Sequence, residues 1–451
     1  MITRVLRALL ALAVVAAGIL VAGSPAQAAT GFYVSNGRLY DANGSDFVMR
    51  GVNHPHAWYA SQTPSSLADI KRLGANTVRV VLDFSRSASD IANVVSLCKQ
   101  NKLICVLEFH DTTGYGDQPA ATLSQAADQW IRVRSAIVGQ ERYVIVNIGN
   151  EPYGNNNAGN WTNDTIGAIQ KLRNNGLTHT LMVDGPNWGQ DWSGTMRTNA
   201  SRVFNADSLR NTVFSIHMYG VYGTASAITS YLDAFVNARL PIVVGEFGHN
   251  HSDGDVDENT IMSATQSRRL GYLGWSWSGN GNPVQYLDMT NGFNANNLTS
   301  WGQRIFTGAN GIRSTSTEAS VYGGGGTGAT AIVSTPANRC VDVPNASQTN
   351  GAQVALWDCN GGTNQSFTST SSGELRVYGS KCLQGGGSGT AVSIGDCNGT
   401  ANQRWSVNGN GTITDQAAGL CLDAEGGGTA NSTRILLWTC NGAANQQWAR
   451  R

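Results

Sequence analysis

The sequence predicts an α/β protein in which a (β/α)8 TIM barrel is followed by a Gly-rich linker and an all-β trefoil domain. Three features point there. Eight short β-branched runs alternate with stretches of helical period; residues 307–330 are rich in Gly, Ser and Thr, with Gly323 to Gly326 in a row; and the remainder repeats itself three times. A chain of 451 residues has room for two or three domains of roughly 100–200 residues each.

The barrel strands are expected at 47–53, 77–82, 104–109, 144–148, 181–184, 213–217, 242–246 and 272–276, with helices such as 64–73, 89–100, 123–137 and 259–270 between them. Strands separated by helical crossovers form parallel sheets, and eight of them is the count that closes a barrel. A doubly wound open sheet competes, but no GxGxxG follows the first strand. The barrel domain is assigned to 30–306, the linker to 307–330 and the trefoil to 331–451.

In the last part Cys340, Cys382 and Cys421 open three units that close on related tails: Asn364-Gln365-Ser366-Phe367, Asn402-Gln403-Arg404-Trp405 and Asn445-Gln446-Gln447-Trp448. Units of roughly 40 residues are too small to bury a face singly, so three should surround a shared core with pseudo-threefold symmetry. Each holds its own cysteine pair, and disulfides Cys340–Cys359, Cys382–Cys397 and Cys421–Cys440 are expected. No CxxC spacing supports a zinc or redox centre.

At the N-terminus Arg4 and Arg7 precede an apolar run over 8–23, and Ala26-Gln27-Ala28 fits a signal-peptidase site, so residues 1–29 read as a signal peptide and the protein as secreted. The apolar run is short of the ~20 residues that span a bilayer. Without Arg4 and Arg7 the chain carries 28 basic residues against 30 acidic, a net of −2. That leaves no basic excess for nucleic acid or an anionic membrane, and neither is an expected partner. Charged residues make up 13%, about half the usual share, which suits an uncharged partner. The chain is expected to work as a monomer.

Polar residues gather where the barrel strands end: Asn53, Arg79, His110, Asn150, Glu151, His217, Glu246 and Trp275. The loops beyond those ends converge on one mouth, where barrel enzymes place their sites. Cleaving a glycosidic bond needs two carboxylates, one to protonate the departing oxygen and one to attack the anomeric carbon or activate water. Of five glutamates in the barrel part, Glu141 sits near a helix end and Glu258 in an acidic loop, whereas Glu151 and Glu246 stand at strand ends beside Gly, Asn or Pro. They are the candidate pair. Glu108 precedes His110 by two and faces the same way one layer deeper, where it needs a partner such as Arg79.

The strings Asn150-Glu151-Pro152, His217-Met218-Tyr219 and Gly245-Glu246-Phe247-Gly248, with Arg79, His110 and Trp275, resemble the signature set of glycoside hydrolase family 5 over 31–306. The contexts GVNHPHAWY (51–59), HDTTGYGD (110–117), GPNWGQDW (185–192), GEFGHNHSDGD (245–255) and GWSWSGNG (274–281) are similar to its bacterial endo-β-1,4-mannanases. The resemblance implies a retaining enzyme on mannan, glucomannan or galactomannan that needs no cofactor for its chemistry. Glu151 would be acid then base, and Glu246 the nucleophile, held ionised by Arg79 and Tyr219. Asn150 would reach the sugar 2-hydroxyl, His110 and His217 would orient these groups, and Trp275 would stack on the sugar. A β-1,4-glucanase would use the same set, and a lectin-like protein with an inactive barrel is the reading from another class. Trp58, Tyr59, Trp188 and Trp192 either line the cleft or cover the barrel rim.

The repeats are similar to the ricin-type β-trefoil, carbohydrate-binding module family 13. The first unit offers Asp342, Trp357, Asn360, Asn364 and Gln365, and the third offers Asp423, Trp438, Asn441, Asn445 and Gln446 at the same offsets. In the middle unit Gln384 replaces the Asp and Ile394 is read in the aromatic's place, so two sugar sites are expected. The Asn and Gln of the tails either bind sugar or satisfy backbone groups. Elsewhere Asp253, Asp255, Asp257 and Glu258 suit a structural Ca²⁺ or a solvated acidic loop, without the rest of an EF-hand loop. Cys98 and Cys105 are expected to bridge a helix to the next strand.

Overall fold

The computed structural model describes residues 31–322, 330–370, 373–378 and 380–450. The expected signal peptide and the four consecutive glycines lie outside those residues. Eight parallel strands close a barrel: β1 (Arg50–His54), β2 (Thr77–Leu82), β3 (Ile104–Phe109), β4 (Val144–Asn147), β5 (Leu181–Asp184), β6 (Thr212–Met218), β7 (Ile242–Phe247) and β8 (Gly271–Gly274), with β8 pairing both β7 and β1. Each strand is followed by a helix: α1 (Thr63–Arg72), α2 (Ala88–Gln100), α3 (Leu123–Arg132), α4 (Trp161–Asn174), α5 (Thr195–Ala206), α6 (Ala225–Asn237), α7 (Glu258–Arg268) and α8 (Ser300–Thr307). Helix starts follow capping chemistry. Ser87 accepts the Asp90 N–H, and Thr122 with Gln125 makes a reciprocal capping box. Cys98 and Cys105 are bridged, tying α2 to β3. Among the described residues no helix is long and apolar enough to cross a membrane.

Two differences from the sequence reading have clear causes. The first strand starts at Arg50 rather than at 47 because Phe47 pairs backwards, its N–H donating to the Leu39 carbonyl of the hairpin Tyr33–Ser35/Arg38–Tyr40. Residues 307–322 are not linker. Ile312 and Ala319 are buried, Arg50 donates to Thr315 Oγ1 (3.0 Å), Ser320 N–H to Asp41 Oδ2 (2.7 Å) and Tyr322 Oη to the Leu103 carbonyl (2.8 Å). The Gly/Ser/Thr composition hides these sparse anchors, whose hydroxyls bond the barrel instead of water.

Inside the barrel the floor is apolar, formed by Ile104, Val106, Ile145, Met182, Val213, Val243 and Leu273. Side chains alternate faces along a strand, so positions two residues further on also point inward. There the interior turns polar: Glu108 follows Val106, Asn147 follows Ile145, Asp184 follows Met182 and Ser215 follows Val213. Buried polar groups at that level need partners, and Glu108, Asn147 and Asp184 find theirs around Arg79.

The last part forms three four-stranded sheets, and Ile332–Ser334 pairs Trp448–Arg450 to close the ring. Equivalent residues of the three units, such as Leu356, Ile394 and Leu437, share one core. Cys340–Cys359, Cys382–Cys397 and Cys421–Cys440 are disulfides.

Candidate active site

Arg79, fully enclosed on β2, organises the barrel mouth. All five of its N–H groups are used: Nη1 donates to Glu246 Oε1 (2.7 Å) and Asn53 Oδ1 (2.9 Å), Nη2 to Asn150 Oδ1 (2.8 Å) and Asp184 Oδ2 (3.1 Å), and Nε to Asn147 Oδ1 (2.8 Å). Glu108 lies 3.7 Å from it and bonds His110 Nδ1 at 3.1 Å. Such buried charges persist only when paired.

Glu246 on β7 receives a second hydrogen bond, from Tyr219 Oη to Oε2 at 2.9 Å. Glu151, just past β4, has one side-chain partner, His217 Nδ1 at 2.8 Å. Carboxylate oxygens of Glu151 and Glu246 and a ring nitrogen of His217 lie within 4.8 Å of one another. Glu151 has a backbone φ of +38°, left-handed geometry that costs a side-chain-bearing residue about 1–3 kcal/mol. Its peptide is pinned on both sides, the N–H donating to Asp184 Oδ2 (3.3 Å) and the carbonyl accepting from Gly114 N–H (3.0 Å).

Charges decide the protonation pattern. Arg79 and a protonated His217 are two cations against Glu108, Glu151, Asp184 and Glu246, so full ionisation would leave −2 in a buried space. Burial lowers the His217 pKa, but Glu246 and Asp184 overcome that and push it up to about 10. Burial likewise opposes a charged His110, and Glu108 reverses it, raising His110. Burial raises the Glu246 carboxyl, against the pull of His217 and Arg79. Burial would also raise Asp184, but His217 and Arg79 hold it below the usual carboxylate range. Donors are unequally shared within the pair: Arg79 and Tyr219 both serve Glu246. Negative charge on Glu246 is therefore better served by donors than negative charge on Glu151.

Trp275 stacks on His110, ring centroids 5.8 Å apart, with its Nε1 donating to Asn280 Oδ1 (2.9 Å). Trp58 stands edge-on to His110 and is 57% exposed; Trp192 is 59% exposed, its Nε1 held by Asn155 Oδ1 at 2.8 Å. Trp188 instead packs on Gly114 and bonds Asp117, a rim-covering role. Asn147 and Asp184 escaped the sequence reading; inward parity from Ile145 and Met182 is the signal that finds them.

The four acidic residues do not gather as a calcium site. Asp253 is used by Gly220 N–H, Gln190 and His251, Asp257 caps α7, and Glu258 bonds Asn259. Among the described residues, only Glu151, His217 and Glu246 form a group of three His, Cys, Asp or Glu within ligand range of one another.

In the trefoil Asp342 accepts from Asn364 and Gln365 (2.8 and 2.7 Å), and Asp423 from Asn445 and Gln446 (2.8 and 2.9 Å). The glutamines are buried and also take the Asn360 and Asn441 backbone N–H groups, so the tails are structural pins. Trp357 and Trp438 are exposed and pair Cys340 and Cys421 across their sheets; the residue so paired with Cys382 is Gly395, and Ile394 is core. The middle unit thus lacks the aromatic through Gly395, a correction of one residue.

The sequence model described as cellulase (glycosyl hydrolase family 5) matches residues 40–281, and the ricin-type β-trefoil lectin domain matches 328–448. A mannan endo-1,4-β-mannosidase of Streptomyces lividans is 61% identical over 318 residues, 69% of this chain and 83% of that protein. One from Cellvibrio japonicus (strain Ueda107) is 51% identical over 324 residues, 70% and 74% of the two chains. The β-mannanase of Thermomonospora fusca superposes with a TM-score of 0.65 at 60% identity, covering 65% of this chain and 100% of its own, and its mannohexaose complex gives 0.64 at 59%. With a barrel of this order, a carboxylate pair at its mouth and these relatives, the chain belongs to glycosyl hydrolase family 5.

Proposed function

We propose that the protein is a secreted endo-β-1,4-mannanase that cleaves internal bonds of mannan-type polysaccharide with retention of configuration. The observation that carries it is the approach of Glu151 and Glu246 to within 4.8 Å. Retaining enzymes hold their carboxyl groups about 5–5.5 Å apart, whereas inverting ones leave about 6.5–9.5 Å for a water. The mannan specificity is supported by relatives named mannan endo-1,4-β-mannosidase and by a mannohexaose complex among the similar structures. Export is supported by the leader pattern before residue 30 and by the four disulfides.

In the first step Glu246, its charge held by Arg79 and Tyr219, attacks the anomeric carbon while Glu151 gives its proton to the departing oxygen. The C–O bond to the leaving sugar breaks as a glycosyl ester forms on Glu246. Water then attacks that carbon, its proton passing to Glu151, and Glu246 leaves as carboxylate. No cofactor enters. Asn150, oriented by Arg79 and Thr113, is assigned to the sugar 2-hydroxyl, and Trp275 to stacking at the cleavage point. The trefoil is read as a second sugar-holding element with sites at Asp342/Trp357 and Asp423/Trp438, whose joint action on a polymer exceeds either alone.

A β-1,4-glucanase is the second reading, favoured by the cellulase description of the matching family. Purified protein assayed on β-mannan and on soluble cellulose, with product anomers followed by NMR, decides. Faster cellulose cleavage replaces the mannanase reading, and α-anomers released first overturn the retaining one.

A further inference from the structure

We infer that Asp184, enclosed beneath the cleft, is a positioning residue that keeps His217 protonated on both ring nitrogens and so holds the acid side chain of Glu151 in register for proton transfer; this rests on the mechanism proposed above. The Asp184 side chain is 0% exposed and touches no surface a sugar could meet. Its Oδ2 nevertheless faces three separate parts of the machinery: Arg79 Nη2 at 3.1 Å, His217 Nε2 at 3.3 Å and the Glu151 backbone N–H at 3.3 Å. Oδ1 accepts from Asn147 Nδ2 at 3.1 Å, and Trp161 Nε1 donates to the Asp184 carbonyl at 2.8 Å, fixing the end of β5.

The His217 ring cannot turn away from this arrangement. Its backbone N–H donates to the Gly189 carbonyl (2.9 Å), and Gly189 lies so close that a Cβ there would sit 2.5 Å from the ring Cγ. Nε2 is therefore held toward Asp184, while Nδ1 is held 2.8 Å from Glu151 and 3.6 Å from Glu246. A neutral imidazole has one N–H and one lone pair: a lone pair on Nε2 would face the Asp184 carboxylate, and one on Nδ1 would draw on the Glu151 proton. With Asp184 ionised the ring carries both protons, and Nδ1–H offers Glu151 a donor that cannot take its proton. The same direction follows from the charges: against burial, Glu246 and Asp184 raise His217 to about 10, and His217 and Arg79 hold Asp184 low. The titratable groups facing the pair are Arg79 from β2, Glu108 and His110 from β3, Glu151 beyond β4, Tyr219 beyond β6 and Glu246 from β7. Only Arg79 and a charged His110 oppose a second proton on His217.

Asp184→Asn keeps the shape and an acceptor for the Glu151 N–H but removes the charge. His217 then loses the charge that favours its second proton, and a neutral ring that keeps its one proton on Nε2 presents an Nδ1 lone pair to the Glu151 proton. The expected result is a kcat on mannan lowered on the order of tenfold to a hundredfold, with KM within about twofold because the residue does not touch sugar. The His217 titration, followed by ¹⁵N NMR of the substrate-free protein, should fall by more than about one pH unit, and the alkaline limb of kcat should fall with it. An unchanged His217 titration, or a lower kcat with an unchanged pH profile, overturns the proposal and leaves Asp184 a structural residue. Should the variant not fold, the native protein decides: His217 neutral below about pH 8 is fatal to the idea. The NMR readout needs no substrate, so a protein that shows the expected titration but cleaves no mannan condemns the functional reading instead.

Discussion

Replacing Glu151 by glutamine removes one transferable proton and little else. The amide oxygen can still accept the His217 Nδ1–H bond that the carboxyl accepts at 2.8 Å. Glu246 keeps its bonds from Arg79 (2.7 Å) and Tyr219 (2.9 Å), so the nucleophile is untouched. What is lost is general acid catalysis, worth roughly 10²–10⁴-fold, or about 3–5 kcal/mol at about 1.36 kcal/mol per decade. The loss applies only where the departing group needs a proton. On β-mannan, whose leaving group is a sugar alcohol, turnover of Glu151→Gln should fall by that full factor. On a dinitrophenyl β-mannobioside, whose phenolate leaves unaided, the first turnover should stay near the native rate and appear as a burst. A slow phase follows, because the amide cannot take the proton of the incoming water. Glu151→Ala should behave alike in kinetics but melt lower, since it strands the buried His217 donor at about 1–3 kcal/mol. Rapid-quench kinetics on both substrates and a denaturation curve for each variant test this. Equal loss on mannan and aryl substrate, with no burst, would refute the assignment of the proton to Glu151.

The pH dependence of stability carries a sign. The His217 pKa is raised in the fold to about 10 from about 6.5 unfolded, so its contribution is whole below about pH 6.5 and lost as pH rises through about 10. Urea midpoints should fall across that interval, and a rising midpoint contradicts the charge pattern. Trp357→Ala or Trp438→Ala alone should weaken retention on insoluble mannan modestly, and together by more than the product of the two factors. Hydrolysis of a short soluble oligosaccharide should not change; retention unaffected by the double variant removes the trefoil sites. Finally, a fragment ending at residue 322 should melt higher than one ending at 306, because the shorter one exposes the pocket filled by Ile312, a burial worth about 1.5–3 kcal/mol. Equal melting temperatures would mean that residues 307–322 hold nothing.

Much of the fold was legible because the barrel strands are β-branched runs punctuated by Gly, Pro and Asn. β2, β3 and β5 coincide with their expected ranges. The candidate glutamates were legible for a related reason: each stands at the end of such a run, where a carboxylate does nothing for the strand itself. Asp184 stands at the same kind of place but was passed over, since its duty depends on which face of a four-residue strand points inward, and pairing sets that. The Ile394 assignment slipped for the same reason, one residue being one face in a strand. The acidic loop misled because charge spacing along a chain says nothing about a loop whose carboxylates turn to different neighbours. The stretch after residue 306 misled because composition averages over the few residues that dock it.

The pairing of Ile332–Ser334 with Trp448–Arg450 places the trefoil's two ends side by side in one sheet. During synthesis this sheet waits for residues 448–450, so the first unit stays an open, edge-exposed hairpin until they have emerged. Loss of residues 448–450 would take away a whole staple of the ring. By the same geometry, joining the two ends directly and cutting a surface turn elsewhere should yield a reordered domain with the same core.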